Sequence, residues 1–525
     1  MSLTDKVIKN TYFFFISQLI GFILPLFLTP FLVSKIGQIQ FGIYALVLGF
    51  TGTFGLFDLS LSSSFIKFIS EHYNKGEKEE LNKTINTGLF FYIFTSVIVC
   101  SVGFIFADKF ISLFNISPEL VNMSVTALRI SVIVFFISSS FGIFNSILAS
   151  LQKMYLTSIV SIITNLLMFI VTILVVMKGY GLIGIMVVIL FVTIVNNIIS
   201  FIYAKRELPY VKISIRSFSK LSLKKMLKIG TQMQVSKLAS FASEKYDEFL
   251  LGAFSVMNNV TFFNMANRVA RFGRLFPMQL YQQGAPVAAE LNAKNEKEKL
   301  VILLGDATKY ISLITAPIFI YIFIFSDLII NSWLGPGFEI SINILRILAI
   351  GQFINMIFSA PGNSIIPNIG VPKYQMYEGL IGLFLNIPLS FFLIKYYGII
   401  GAAYGNTISV VVSSFYLFFT SIKFFELHSF KFFGKYILKP MLIALVSSAF
   451  LYLFYYISNV NVYHVIGRVG SIIYLASTGL LFVFIYYVAV LKSNYLNERD
   501  RVVIAKIFYK FIPIKYFNLE FKDNK

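Results

Sequence analysis

Three arginines stand three residues apart, at Arg268, Arg271 and Arg274, in a stretch that also carries Asn264 and Asn267 among its apolar residues. A guanidinium presents a planar fork of N–H donors that matches the oxygens of a phosphate. Residues three apart share one side of a helix, so these side chains form a drifting cationic stripe able to draw a phosphate headgroup inward. Just upstream, residues 229–252 hold Gln232, Gln234, Lys237, Ser240, Ser243, Glu244, Lys245, Asp247 and Glu248. Each central charge in a membrane helix costs about 2.5–3.5 kcal/mol on insertion scales, so these groups must face an interior. Two readings follow. In one, Arg268, Arg271 and Arg274 form an anion site; in the other, Glu244, Asp247 and Glu248 form interior ion pairs with bases such as Arg268. Snorkelling to the inner headgroups is a third role for Arg274. Asp58 adds an ionisable group in a span, either a proton or cation coupling residue or a partner of Arg129, Lys237 or Lys245. Asp306 and Lys309, three apart, are expected to pair locally near the inner surface.

Other chemistry finds no support in the residues. His72, His428 and His464 are scattered over loops, there is one cysteine, and no Gly-rich loop ends in Gly-Lys-Ser/Thr. No metal or hydrolytic site, no bound cofactor and no direct use of ATP are therefore expected. A gradient of protons or sodium ions, or passive exchange, is the expected driving force.

The elements that position these groups are membrane helices. Of 525 residues, 57% are hydrophobic and 13% charged, too few ionised groups to coat a water-soluble surface. Apolar runs of about 20 residues, the length of a spanning helix, occur near 10–33, 41–66, 85–107, 123–149, 155–177, 181–203, 229–252, 256–280, 303–326, 342–365, 375–394, 399–421, 438–458 and 466–491. The first carries Pro25 and Pro30 and exceeds a signal-peptide core, so it reads as a retained anchor. With the N-terminus inside, 31 of the 44 Lys and Arg fall in cytoplasmic segments and five in outer loops. That asymmetry places both termini in the cytoplasm, in a cell inner membrane, and accounts for the net charge of +20 without a nucleic-acid partner. Pro277, Pro286 and Pro361 offer bends in later helices.

The segment from Lys75 to Leu81 recurs from Lys294 to Leu300, an offset of 219 residues, and Arg129 meets Arg346 at 217. The expected fold is an all-α polytopic membrane protein of fourteen transmembrane helices. Two parallel six-helix repeats, 1–210 and 220–422, surround a central cavity. Helices 13 and 14 (438–491) are appended, followed by a basic-aromatic cytoplasmic tail (492–525) that lies along anionic lipid. Duplicated bundles of this kind are a transporter plan, since either half can rock about a shared cavity.

Several stretches resemble the oligosaccharide flippases of the multidrug/oligosaccharidyl-lipid/polysaccharide exporter (MOP) superfamily, in the Wzx-type branch: Asn10 to Gly21, Leu28 to Leu32, Phe41 to Tyr44, Gly55 to Leu59, and Phe263 to Arg268. The resemblance covers nearly the whole chain. It implies a secondary transporter rather than an enzyme, moving an undecaprenyl-pyrophosphate-linked oligosaccharide to the outer leaflet for surface polysaccharide assembly. It also implies a pyrophosphate or acidic-sugar site at Arg268, Arg271, Arg274 and Lys237. Expected partners are that substrate, bilayer lipids and other polysaccharide-assembly membrane proteins, around a monomeric transporter. The charges from Glu244 to Glu248 depart from the isolated Asp usual in the family. Lipid II flippases are usually richer in arginine along helix 1, which here has none; drug antiport would favour an acidic apolar pocket. A membrane glycosyltransferase or polysaccharide polymerase would show a large loop with paired acids or His, and neither feature occurs.

Overall fold

A computed structural model describes residues 3–54, 61–457, 462–493, 495–498 and 500, with backbone alone described at 3–8, 11, 54, 61–63, 228–244, 279–283, 450–451, 454, 456–457 and 462–466. The first helices are α1 (Leu3–Phe54), α2 (Leu61–Lys75), α3 (Lys78–Ile105), α4 (Ala107–Ile111), α5 (Pro118–Phe141), α6 (Ile143–Ser150), α7 (Met154–Met177) and α8 (Gly181–Glu207). Next come α9 (Lys220–Phe254), α10 (Met257–Phe272), α11 (Leu275–Ala293), α12 (Lys297–Ile324), α13 (Ser326–Leu334) and α14 (Glu339–Ile354). The last six are α15 (Ala360–Ile365), α16 (Lys373–Tyr397), α17 (Ile399–Phe424), α18 (Ser429–Phe433), α19 (Lys439–Ile457) and α20 (Val462–Lys492). The expected all-α polytopic architecture is present. Among the described residues, eleven helical stretches are long and apolar enough to cross a bilayer.

One of these is longer than a membrane needs. As a single straight helix the 52 residues of α1 would reach about 78 Å at 1.5 Å per residue, more than twice the hydrocarbon thickness of about 30 Å. Gly37, at φ 80° and ψ 164°, divides it; a residue without Cβ takes that left-handed φ freely. Helices α9 and α10 are not among the eleven stretches, and both carry the charges discussed above. Asp58, the Gly55 to Leu59 stretch and tail residues 501–525 lie outside the described residues.

Packing divides the chain into two bundle-like units. The first joins residues up to Val269 with 336–351 and 372–416. Within it α1 packs on α7, α7 and α5 on α8, α3 on α5, and α16 on α9. Its interior holds Phe41, Ile43, Val47 and Phe65, together with small polar groups such as Ser96 and Ser140, whose hydroxyls meet at 2.7 Å. The second unit joins 270–335 with 352–371 and the chain from 417 onward. There α11 packs on α12 and α15, α12 on α19, and α13 on α20. Large apolar side chains face outward in both, Phe27 at 68% and Leu480 at 74% exposure among them. Surfaces of this kind suit lipid as the solvent.

Two sequence expectations need correction in the second unit. The apolar run 256–280 is not one helix: α10 stops at Phe272 and α11 begins at Leu275, with Arg274 capping the new helix. Pro277 explains the break, because its ring nitrogen cannot donate to the carbonyl four residues back. Lys309 pairs with buried Asp500, 191 positions away, and the Asp500 carboxylate also accepts from the Tyr310 hydroxyl at 2.6 Å. Asp500 in turn accepts from the Asn497 backbone N–H at 2.9 Å. The chain just beyond α20 is thus tied to α12 rather than left on the lipid surface.

The two similar heptapeptides fold alike. Gly76 (φ 74°) and Asn295 (φ 56°) both take the left-handed conformation. Gly76 N–H donates to Tyr73 O at 3.1 Å and Asn295 N–H to Asn292 O at 3.0 Å, while Glu77 N–H and Glu296 N–H reach His72 O and Leu291 O at 3.0 Å each. Helices α3 and α12, which leave these turns, are each 28 residues long. Lys75 donates to Glu71 and Lys294 to Glu290, at 2.6 and 2.5 Å. Those hydrogen bonds hold both carboxyls below the ordinary glutamate range.

Candidate functional site

Arg268, on the polar helix α10, is partly buried in the first unit. Its Nε donates to Asn264 Oδ1 at 2.9 Å and its Nη1 to the Thr29 hydroxyl oxygen at 3.0 Å. The guanidinium carbon lies 5.8 Å from the centre of the Phe41 ring, within the range of a cation–π contact. Thr29 is oriented by its own helix, its hydroxyl donating to Pro25 O at 2.7 Å. Asn264 sits one turn before Arg268 and is a bridge: its amide nitrogen donates to Glu248 Oε1 at 3.1 Å. Glu248 is also paired with Lys245 at 2.9 Å, one turn earlier on α9. A chain of polar groups therefore runs Lys245, Glu248, Asn264, Arg268, Thr29. The expected interior pairing of α9 acids with Arg268 takes an indirect form, through an amide.

Asp247 has different surroundings. It is 1% exposed, and its carboxylate accepts from the Ser390 hydroxyl at 2.6 Å, from Asn406 Nδ2 at 2.7 Å and from Asn386 Nδ2 at 3.4 Å. Asn386 and Ser390 come from one face of α16, Asn406 from α17. Among the described residues no cationic side chain bonds to this carboxylate, and Asn386 Oδ1 is buried without a hydrogen-bond partner. A buried anion ringed by neutral dipoles is a costly arrangement. It offers oxygen ligands or a proton-binding position on a scale that admits only a small ion.

The remaining candidates fall elsewhere. Arg274 belongs to the second unit, where its Nη1 donates to Gln352 Oε1 at 2.9 Å. Arg271 lies one turn beyond Arg268 on α10 and is half-buried. Lys237 and Glu244 are on α9, in the stretch where only the backbone is described. Arg129 pairs with Asp108 at 2.8 Å, with its guanidinium carbon 5.2 Å from the Phe104 ring centre. No group of three or more His, Cys, Asp or Glu able to hold a metal occurs among the described residues. Sequence reasoning missed Thr29, Asn386, Ser390 and Asn406. Each is an uncharged polar residue in an apolar helix; only the four-residue spacing of Asn386 and Ser390 hinted at a shared face.

Known proteins resemble the chain in sequence and in fold. Over 420 residues the chain is 23% identical to a Shigella flexneri protein assigned to O-antigen transport, covering 78% of this chain and 97% of that protein. It is 26% identical over 195 residues to a Haloferax volcanii protein assigned as a low-salt glycan biosynthesis flippase, covering 36% and 41% respectively. Among solved structures it is similar to a lipid II flippase in an inward closed conformation (TM-score 0.70, 20% identity, 95% of this chain and 99% of that one). An inward-facing multidrug resistance transporter of the MATE family and MOP superfamily is also similar (TM-score 0.68, 16% identity, 79% and 98%). At these identities the likeness is one of fold. Residues 240–392 match the MatE family model, and residues 7–277 match the model described as polysaccharide biosynthesis protein. Because that second match spans more than half of its length, the chain belongs to the polysaccharide biosynthesis protein family, among the multi-pass membrane transporters of the MOP superfamily.

Proposed function

We propose that the protein flips an undecaprenyl-pyrophosphate-linked oligosaccharide from the cytoplasmic to the outer leaflet, for surface polysaccharide assembly, by alternating access of two bundles. The observation that carries this reading is Arg268: a partly buried guanidinium held by a neutral hydroxyl and a neutral amide, not neutralised by direct contact with a carboxylate. A phosphate oxygen competes well for such a donor. Arg271, Arg274 and Lys237 are the further candidates for contact with the pyrophosphate or an acidic sugar. Asp247 is the coupling residue in this scheme, taking a proton or a sodium ion among Ser390, Asn386 and Asn406, while Glu248 serves the interior pairing with Lys245. Asp58 and Glu244 remain second candidates for coupling or pairing.

The architecture in this scheme has fourteen spans. They are the eleven apolar stretches, the second run obtained by dividing α1 at Gly37, and two polar spans drawn from α9 and from α10 with α11. Six spans in 1–210 and six in 220–422 form parallel repeats about a central cavity, a reading supported by the matching turns at Gly76 and Asn295. Helices 13 and 14 (438–491) and the tail (492–525) follow, with both termini in the cytoplasm and the transporter monomeric in the inner membrane.

The test is leaflet translocation of the lipid-linked oligosaccharide in proteoliposomes. Correctly inserted Arg268→Ala, Arg271→Ala and Arg274→Ala variants are expected to lose transport that the parent shows. Inactivity of the parent under imposed proton and sodium gradients would count against the scheme. A second reading, lipid II translocation, is favoured by the fold match to a lipid II flippase; lipid II supplied in the same vesicles separates the two. Export of drug cations without glycolipid movement would instead indicate an antiporter.

A further inference from the structure

A slot of about 530 Å³ opens on the lipid-facing side of the first unit, between α3, α5, α6 and α8. Phe90 and Ile93 line one wall, Phe141 and Phe144 another, and Ile198 and Phe201 the third. A smaller cavity of about 180 Å³ adjoins it across the shared walls Phe144, Phe201 and Ile213, and adds Lys205, Leu208 and Val211 at and just beyond the end of α8. The combined slot is apolar along its length and cationic at one end.

Its length is on the scale of one leaflet. Ile194 and Leu208 bound its lining along α8, fourteen residues apart, or about 21 Å of helix at 1.5 Å per residue. Half of a hydrocarbon core is about 15 Å. Asn197, within the lining, keeps a buried side-chain oxygen without a partner. A polyprenyl chain is longer than this space, whereas one acyl chain of a phospholipid has the right reach.

The mouth is built for an anion. Lys205 Nζ donates to Val211 O at 2.7 Å and Pro209 O at 3.2 Å, which fixes the ammonium at the opening with a third N–H to spare. Exposed Arg206, Lys212 and Arg216 stand close by in sequence. The connecting segment above the slot is stitched to α3: Asn82 Oδ1 accepts from Lys212 N–H at 3.0 Å, Asn86 Oδ1 from Ser214 N–H at 2.8 Å, and Thr87 Oγ1 from Ser219 N–H at 2.9 Å. Ile213, in that stitched segment, lines both cavities.

We infer that the slot holds one acyl chain of an anionic phospholipid of the cytoplasmic leaflet, with its phosphate at Lys205, beneath the segment that joins α8 to α9. A bound lipid then reaches that connecting segment directly. The inference rests on the inward placement of the α8 C-terminus argued from the basic residues, and does not depend on which glycolipid is moved.

The experiment uses full-length protein in proteoliposomes containing phosphatidylglycerol with a photoactivatable group near the chain end, or phosphatidylcholine bearing the same group, with labelled peptides mapped by mass spectrometry. The phosphatidylglycerol probe is expected to label α3, α5 and α8 at the slot. Lys205→Gln is expected to lower that labelling about fivefold, the contribution of one basic residue at an anionic surface. Ile198→Trp, at an exposed wall position, is expected to block chain entry while leaving helix content and the phosphatidylglycerol density elsewhere on the protein unchanged. Equal labelling by phosphatidylcholine, labelling indifferent to both substitutions, or labelling only by a polyprenyl phosphate probe would overturn the inference. Slot labelling from a probe confined to the opposite leaflet would leave the slot standing and refute the assumed orientation.

Discussion

Arg268 and Asp247 lie in the same unit and are both withdrawn from water, but their neighbours differ in kind. Arg268 leads through Asn264 to Glu248 and Lys245, so its charge is one term in a chain that already contains both signs. Asp247 meets a hydroxyl and two amides, and its own charge has no compensating cation among the described residues. Arg268 also keeps some accessible surface, whereas Asp247 is sealed at 1% exposure. The contrast fits the two roles proposed for them: the accessible guanidinium can meet a large anion, and the sealed carboxylate a small ion.

Removing the sealed charge breaks the comparison most severely. Asp247→Asn keeps the size and a hydrogen-bonding side chain but removes the carboxylate. Gradient-stimulated translocation is expected to fall to the rate without a gradient, about 5- to 150-fold, the span of a coupling free energy of about 1–3 kcal/mol. Gradient-free exchange is expected to persist. Equal stimulation in parent and variant would assign coupling to another group.

Arg268→Lys sharpens the other side. The charge stays, but the fork that holds Thr29 and Asn264 together is lost. Apparent substrate affinity should weaken by about 1.5–3 kcal/mol, the worth of a hydrogen bond to a charged group, with the gradient dependence intact. A change in gradient dependence without a change in affinity would reverse the two roles.

How much of this was legible beforehand depends on whether a residue announces itself by charge. Long apolar runs marked the spans because lipid demands some 20 such residues, and the dense charges from Lys237 to Glu248 marked α9 as an interior helix because lipid cannot solvate them. Uncharged Asn386, Ser390 and Asn406 were invisible, since one polar residue per turn is tolerated in any bundle interior. Asp500 was hidden for another reason. It stands among basic tail residues that suggest a lipid surface, and its partner Lys309 is 191 positions away. The spacing of Asp306 and Lys309 pointed to a helical pair, a preference worth only about 0.2–0.5 kcal/mol, which a tertiary partner easily outweighs. The arginine stripe likewise suggested an unbroken helix where Pro277 sets a new helical start.

Asn264→Leu tests the bridge between the charges rather than either charge. It strips one bond from Glu248 and one from Arg268, leaving buried groups short of partners at a cost of about 1–3 kcal/mol. The expected readout is a lower thermal midpoint in detergent, together with a smaller loss of affinity than Arg268→Lys produces. An unchanged midpoint would mean that water or a rearranged side chain replaces the amide.

The smallest effects are expected at the paired turns, far from both charges. Gly76 and Asn295 hold the same left-handed φ with different side chains. Gly76→Ala should destabilise by about 1 kcal/mol, because Cβ crowds the carbonyl there. Asn295→Gly should change stability by only a few tenths of a kcal/mol, since Asn tolerates this conformation and Gly adds unfolded-state entropy that offsets the relief. The ratio of the two shifts, read as thermal midpoints of the full chain, asks whether the two turns are equivalent in energy as well as in hydrogen bonding. A large loss at Asn295 would show that its side chain, and not its backbone angle, secures the second turn. Translocation should be unaffected in both variants, because neither turn contributes a side chain to Arg268 or to Asp247.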